Sequence, residues 1–301
     1  MGGGETRSPF PMSIIDFEHP PGLVPVYLNT GDECGFSAGE KRAVLQEYAG
    51  DEVMRANMVS ALARDLADFT PSLVVHDGTM IVVGSGPSVA DYANEIREHR
   101  KAGRPIMAIK GAHEWLLEQG ITPDLAVSMD SQARSLRFFK SKRKEVCYLL
   151  STKVHPVVFD HLSDCQIVRW NAWMGDESDK LAPEGACLVG GGSTSGLRGI
   201  TLAWLLGFRR VILYGFDSCL KGSQMRVDGS EKQQWTMPLQ AGPEGPMRQC
   251  DAALASQALE FQAMTFDVLT GMKIKVVGDG LIADIMADRA RLGCNDWGND
   301  R

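Results

Sequence analysis

The turn Gly84-Ser85-Gly86-Pro87-Ser88 is built from residue types that hold phosphate. Its glycines permit φ > 0 and close backbone approach, Ser88 can cap a following helix, and that helix would offer free N–H groups to an anion. No glycine completes the dinucleotide pattern GxGxxG, so a mononucleotide or a sugar nucleotide fits better than NAD. On this reading Gly86→Val abolishes nucleotide binding and leaves the fold largely intact. A second loop, Gly190–Gly196 (GGGSTSG), repeats the logic. Gly191 and Gly192 free the backbone, Ser193, Thr194 and Ser195 offer hydroxyl donors, and the apolar stretch Leu197–Leu206 adds the positive end of a helix. A hinge capped by Ser195 is the competing reading of the same residues.

Two carboxylates are candidate catalytic groups. Asp130 directly follows the apolar run Leu125–Met129; it is suited to hold Mg²⁺ between phosphates, to bind a sugar hydroxyl, or to cap the next helix. Asp217 follows Arg210–Tyr214 with Gly215 between them, and Asp217→Ala is expected to weaken ligand affinity more than stability. Arg134 and Arg137, one helical turn apart, have the fork geometry to clamp a phosphate, although the run from Arg134 to Lys144 also reads as a solvated face. Asn171 lies between Trp170 and Trp173 after a β-like run, where the indoles could stack on a planar ring. His113 and His155 read as capping or packing residues.

The elements that must position these groups alternate. Short apolar runs at Met80–Val83, Pro105–Ile109, Leu125–Met129, Val146–Leu150, Gln166–Arg169, Arg210–Tyr214 and Lys273–Val277 are separated mostly by helical stretches. This is an α/β pattern, a Rossmann-like, mostly parallel, doubly wound sheet. Ligands then bind beyond the carboxyl ends of the strands, which selects Gly84–Ser88, Lys110, Asp130, Ser151, Thr152, Asn171, Asp217 and Asp279. Before the sheet, residues 1–36 form an extension with one strand at Val24–Leu28. Residues 37–72 form a helical segment with helices at Ala38–Tyr48 and Glu52–Phe69, whose Met-rich stripe packs on the core. The domain proper is 73–285, with a lid-like insertion at 220–247 carrying Lys221 and Asp228, and 286–301 is a tail.

Composition excludes several classes. A net charge of −7 argues against binding nucleic acid by phosphate neutralisation, and only Phe138 and Phe139 interleave the basic run. Seven scattered cysteines without a CxxC pair read as reduced thiols of a cytoplasmic protein. No apolar run approaches the roughly 20 residues of a membrane span.

The segments VVGSGPS, GITPDLAVSMDSQ and STSGLRGITLAWLLGFRRVILYGFD, in that order and spacing, resemble the DUF115 group, whose best-known members are archaeal 6-hydroxymethylpterin pyrophosphokinases of the MptE type. The resemblance spans about residues 50–280. It implies a Rossmann-like domain, a nucleoside triphosphate or nucleotide-sugar donor, an acceptor it does not identify, and Mg²⁺ on Asp130. The same segments are similar to bacterial CMP-sialic-acid sialyltransferases and to motility accessory factors that glycosylate flagellin. Those sialyltransferases carry a lid histidine after the GxD block, whereas the last histidine here is His161. The expectation is therefore transfer from a nucleoside triphosphate to a small hydroxyl acceptor, with glycosyl transfer from a CMP- or UDP-sugar, or nucleotide binding without turnover, as alternatives.

Overall fold

The computed structural model describes residues 26–28, 51–175, 177–230, 236–242, 244–267 and 271–291. The expected helix at Ala38–Tyr48 lies outside them. The core is a parallel sheet whose main path runs β12-β9-β3-β4-β5-β6-β7-β2. Its strands are β2 (Ala67–Asp68), β3 (His76–Val83), β4 (Ile106–Ile109), β5 (Leu125–Ser128), β6 (Cys147–Ser151), β7 (Gln166–Ala172), β9 (Phe208–Tyr214) and β12 (Lys273–Val277), and the short β8 (Leu188–Val189) pairs with β7. The central strands are apolar on both faces because helices cover both: Ile106–Ile109 is wholly buried.

One face packs on α5 (Ser195–Leu205), α6 (Ala252–Asp267) and α7 (Leu281–Arg291), through Met107, Ile109, Val127, Leu149, Trp170 and Leu213. The other is covered by two clusters. Residues Ile81, Val83, Ile106 and Ala108 meet Ile96 of α2 (Ala93–Lys101) and Leu116 of α3 (Ala112–Glu118). Tyr148, Leu150 and Ile167 meet Phe138 and Phe139, Ala61 of α1 (Asp51–Leu62), and Val158 and Phe159 of α4 (Pro156–His161).

The helix expected over Glu52–Phe69 stops at Leu62. Buried Arg169 ends it: Nη1 donates to the carbonyls of Ala61, Leu62 and Arg64, and Nε and Nη2 hold Asp68 in a two-point pair at 2.8 and 2.9 Å. That draws Ala67–Asp68 into the sheet beside Val168 and Arg169. β7 extends through Ala172, so Trp170 and Asn171 stand inside the strand rather than after it. β10 (Met237–Ala241), inside the insertion, and β11 (Met247–Cys250), which starts at its last residue, form a separate antiparallel sheet with β1 (Val26–Leu28) in the order β1-β10-β11. α7 runs across residue 286, where the sequence suggested a tail. No described helix is long and apolar enough to cross a membrane.

Candidate anion-binding site

The chain proceeds from β3 outward to β7 on one side and returns through β9 to β12 on the other. The switch point therefore lies between β3 and β9, and the loops leaving them are Gly84–Ser88 and Gly215–Asp217. These loops are in contact with one another. A Cβ at Gly84 would stand 2.5 Å from the Gly215 carbonyl oxygen, and one at Gly86 would stand 2.7 Å from Asp217 Cγ. Gly86 has φ −62°, so its glycine serves this close approach and not a left-handed turn. The buried Asp217 carboxylate accepts the Ser88 amide at 2.7 Å and the Ser88 hydroxyl at 2.5 Å. Pro87 opens the short 3-10 turn Pro87–Tyr92, and Asp217 sits at its amino end in the position an anion would take. Burial pushes the Asp217 carboxyl up despite the two Ser88 donors, and Asp279 adds to the rise.

The second loop is also satisfied from within. Gly191 and Gly192 adopt φ of +99° and +80°, and a side chain at either would strike Thr201 or Leu197. The Ser193 amide and hydroxyl both donate to Glu260 of α6 at 2.8 Å. Thr194 caps α5 by accepting the Leu197 amide and also receives Gln257 Nε2. Ser195 Oγ accepts the Met129 amide at 3.1 Å, which ties this loop to the end of β5. The hinge capped by Ser195 is thus replaced by a loop capped by Thr194.

A convergent charged site stands instead over β3, β4 and β5. Lys110 follows β4 in a left-handed conformation (φ 50°), rare for a residue with a Cβ and a form of strain that collects at functional positions. Its Nζ lies 2.6 Å from Asp130 Oδ2, and the Gln132 amide donates to Asp130 Oδ1 at 3.1 Å. Lys110 Nζ also lies 5.3 Å from the centre of the Phe138 ring, with the guanidinium carbons of Arg137 and Arg226 at 4.8 and 5.8 Å from the same ring. Three cations lie against one aromatic ring, with Asp130 paired to Lys110 and, against burial, Asp228 held ionised by Ser230, Arg226 and Arg137. Burial lowers the Lys110 pKa against the pull of Asp130, and Arg226 and Arg137 depress it further. Burial works against ionised Asp130 too, but Lys110, the Gln132 amide and Arg134 outweigh it and hold the carboxyl below its usual range.

Arg226 arrives on the insertion, which docks through the Val227 amide on the Ser85 carbonyl at 2.9 Å and an exposed Lys221–Asp91 pair. Neither Arg226 nor Phe138 was singled out as a site residue from the sequence. Arg226 lies about 140 residues from Ser85, and no local pattern signals that docking. Arg134 is exposed next to the cluster. Of the other candidates, Trp170 is a core residue whose indole donates to the Leu149 carbonyl, and Asn171 is buried. His113 is sealed against Phe139 and Tyr148, and His155 caps α4. Asp279 pairs with Arg248.

Magnesium fits this donor set poorly. Asp130 already has a partner on each oxygen, one of them an ammonium group, and Arg134 adds a further cation nearby. Among the described residues no group of three or more His, Cys, Asp or Glu is placed to hold a metal ion.

The chain belongs to the MptE-like family: the family model described as 6-hydroxymethylpterin diphosphokinase MptE-like matches residues 54–223, more than half of its length. A search of curated proteins finds no match. Among solved structures, the MAf glycosyltransferase from Magnetospirillum magneticum AMB-1 superposes with a TM-score of 0.60 at 17% identity, over 84% of this chain. The chain spans 45% of that protein, and the likeness is one of fold. A mammalian sialyltransferase, at 12% identity over 78% of this chain and 89% of its own, reaches a TM-score of only 0.37.

Proposed function

We propose that the protein is a nucleotide-dependent transferase whose donor phosphates lie on Lys110, Arg137 and Arg226. The observation that carries this reading is the convergence of those cations on Phe138 beside Asp130, at the carboxyl edge of a parallel sheet. Family membership favours diphosphoryl transfer to a small hydroxyl acceptor. In that reaction the acceptor hydroxyl loses its proton to solvent as its oxygen bonds the donor's β-phosphorus, whose bond to the α-side oxygen breaks and leaves the nucleoside monophosphate. Catalysis of this kind is mostly positioning and charge stabilisation. Lys110 and the two arginines neutralise the transferred group, and Asp130 keeps the ammonium of Lys110 fixed between them. The Ser85 carbonyl anchors the insertion that brings Arg226 over the site.

Glycosyl transfer is the second reading. A leaving phosphate neutralised by fixed cations needs no metal, and the pairing of Asp130 with Lys110 favours such an arrangement. Calorimetric titration of ATP, CTP, CMP and UDP, each with and without Mg²⁺, separates the two. Binding that persists without metal and weakens about tenfold or more in Lys110→Met supports the cationic site. Binding that requires Mg²⁺ and disappears in Asp130→Asn returns the metal to Asp130, and nucleotide affinity unchanged in Lys110→Met sinks the proposal.

A further inference from the structure

Among the buried polar atoms without a hydrogen-bond partner, Thr152 Oγ1 and Asn171 Oδ1 lie at neighbouring strands near the carboxyl edge. Thr152 is 0% exposed and Asn171 3%. Burying an unsatisfied group of this type costs about 1–3 kcal/mol, so two side by side call for a reason. They are side by side by register. Ser151 pairs with Trp170, and the next amide, that of Thr152, donates to the Trp170 carbonyl at 2.9 Å, which sets Thr152 beside Asn171. Alternation along β7 puts Asn171 on the face of Ile167, the face that carries Phe138, and Thr152 follows directly after the end of β6. α1 reaches the residue after Thr152: Asn57 Nδ2 donates to the carbonyls of Ser131 and Lys153 at 3.0 Å each.

We infer that Thr152 and Asn171 recognise the base of the nucleotide whose phosphates the cationic cluster takes, an inference that rests on the nucleotide reading above. An amide oxygen only accepts, so the ligand must present a donor to Asn171, and the N–H of a base is one; a threonine hydroxyl donates or accepts and takes the neighbouring position. An N–H beside an acceptor is the hydrogen-bonding edge of a purine or pyrimidine. The separation suits one molecule. β6 and β7 stand two and three strand positions from β4, which at about 4.8 Å per strand places the pair roughly 10–14 Å from Lys110. A nucleoside diphosphate or triphosphate reaches across such a gap from its base edge to its outer phosphate.

Thr152→Val tests this directly, because it keeps the shape and removes only the hydroxyl. Its melting temperature should equal or exceed that of the parent, since an unsatisfied polar atom has gone. Its affinity for ATP and CMP should fall about tenfold or more, while inorganic pyrophosphate, which reads only the cationic cluster, binds as before. Asn171→Leu should give the same split, and both variants should lose affinity for the free nucleosides adenosine and cytidine. ATP and CMP binding unchanged in both variants overturns the inference and leaves two atoms that share an internal water, with the nucleotide reading intact. Wild-type protein that binds neither nucleotide nor pyrophosphate overturns that reading, and the base subsite falls with it.

Discussion

The residues of the first glycine turn act on each other before they act on a ligand. Asp217 occupies the Ser88 amide and hydroxyl, and Gly84 and Gly86 are small because the β9 loop lies against them. This revises what Gly86→Val should do. A β-branched side chain there meets Asp217 Cγ and the Gly215 carbonyl, an overpacking that costs about 1–3 kcal/mol. Urea denaturation should show the loss of stability together with any loss of binding, and a variant as stable as the parent would rule out the packing role. Asp217→Ala likewise leaves the buried Ser88 donors unpaired, at about 1–3 kcal/mol, and should lower the melting temperature. Full stability with reduced nucleotide affinity would instead return Asp217 to the ligand.

At the level of elements, the Gly190–Gly196 loop is held from both sides. Glu260 on α6 receives both Ser193 donors, and Ser195 at the start of α5 reaches the Met129 amide next to Asp130. Glu260→Ala should therefore destabilise the protein by about 1–3 kcal/mol and loosen the end of β5. Hydrogen exchange at Met129 and Ser193 is the measurement, with faster exchange expected at both. Unchanged protection at Met129 would mean that the loop and Asp130 are independent. The insertion is the opposite kind of element, anchored near the site by one backbone bond to Ser85 and an exposed ion pair.

For the whole molecule, the charged site makes stability depend on pH and on anions. The Asp130 pKa is depressed in the folded state, so its pairing stabilises the protein above the unfolded carboxyl value of about 3.9 and is lost as pH falls through the lower folded value. Asp130→Asn should accordingly flatten the acid limb of the stability curve below about pH 4, read by urea melts. A variant whose acid limb matches the parent's would show that Lys110 does not hold that carboxyl. A polyanion at 100 times its dissociation constant should raise stability by about 2.7 kcal/mol, a shift visible as a higher melting temperature for pyrophosphate or ATP.

By itself the sequence determined the sheet and where its ligand edge lies. Apolar runs of strand length separated by helical stretches can be buried only as a parallel sheet covered on both faces, and Lys110, Asp130 and Asp217 each follow such a run. Local pattern could not say which of those residues face one another. Whether Asp217 meets an anion or Ser88, and whether Ser193 meets phosphate or Glu260, depends on side chains 129 and 67 residues away. The same holds for Arg169, which ends α1 and recruits Asp68 from about 100 residues off. Tertiary structure alone decided that the charged groups gather around Phe138, because Lys110 after β4 and Arg226 on the insertion meet Asp130 and Arg137 of the β5–β6 connection only when the sheet is folded.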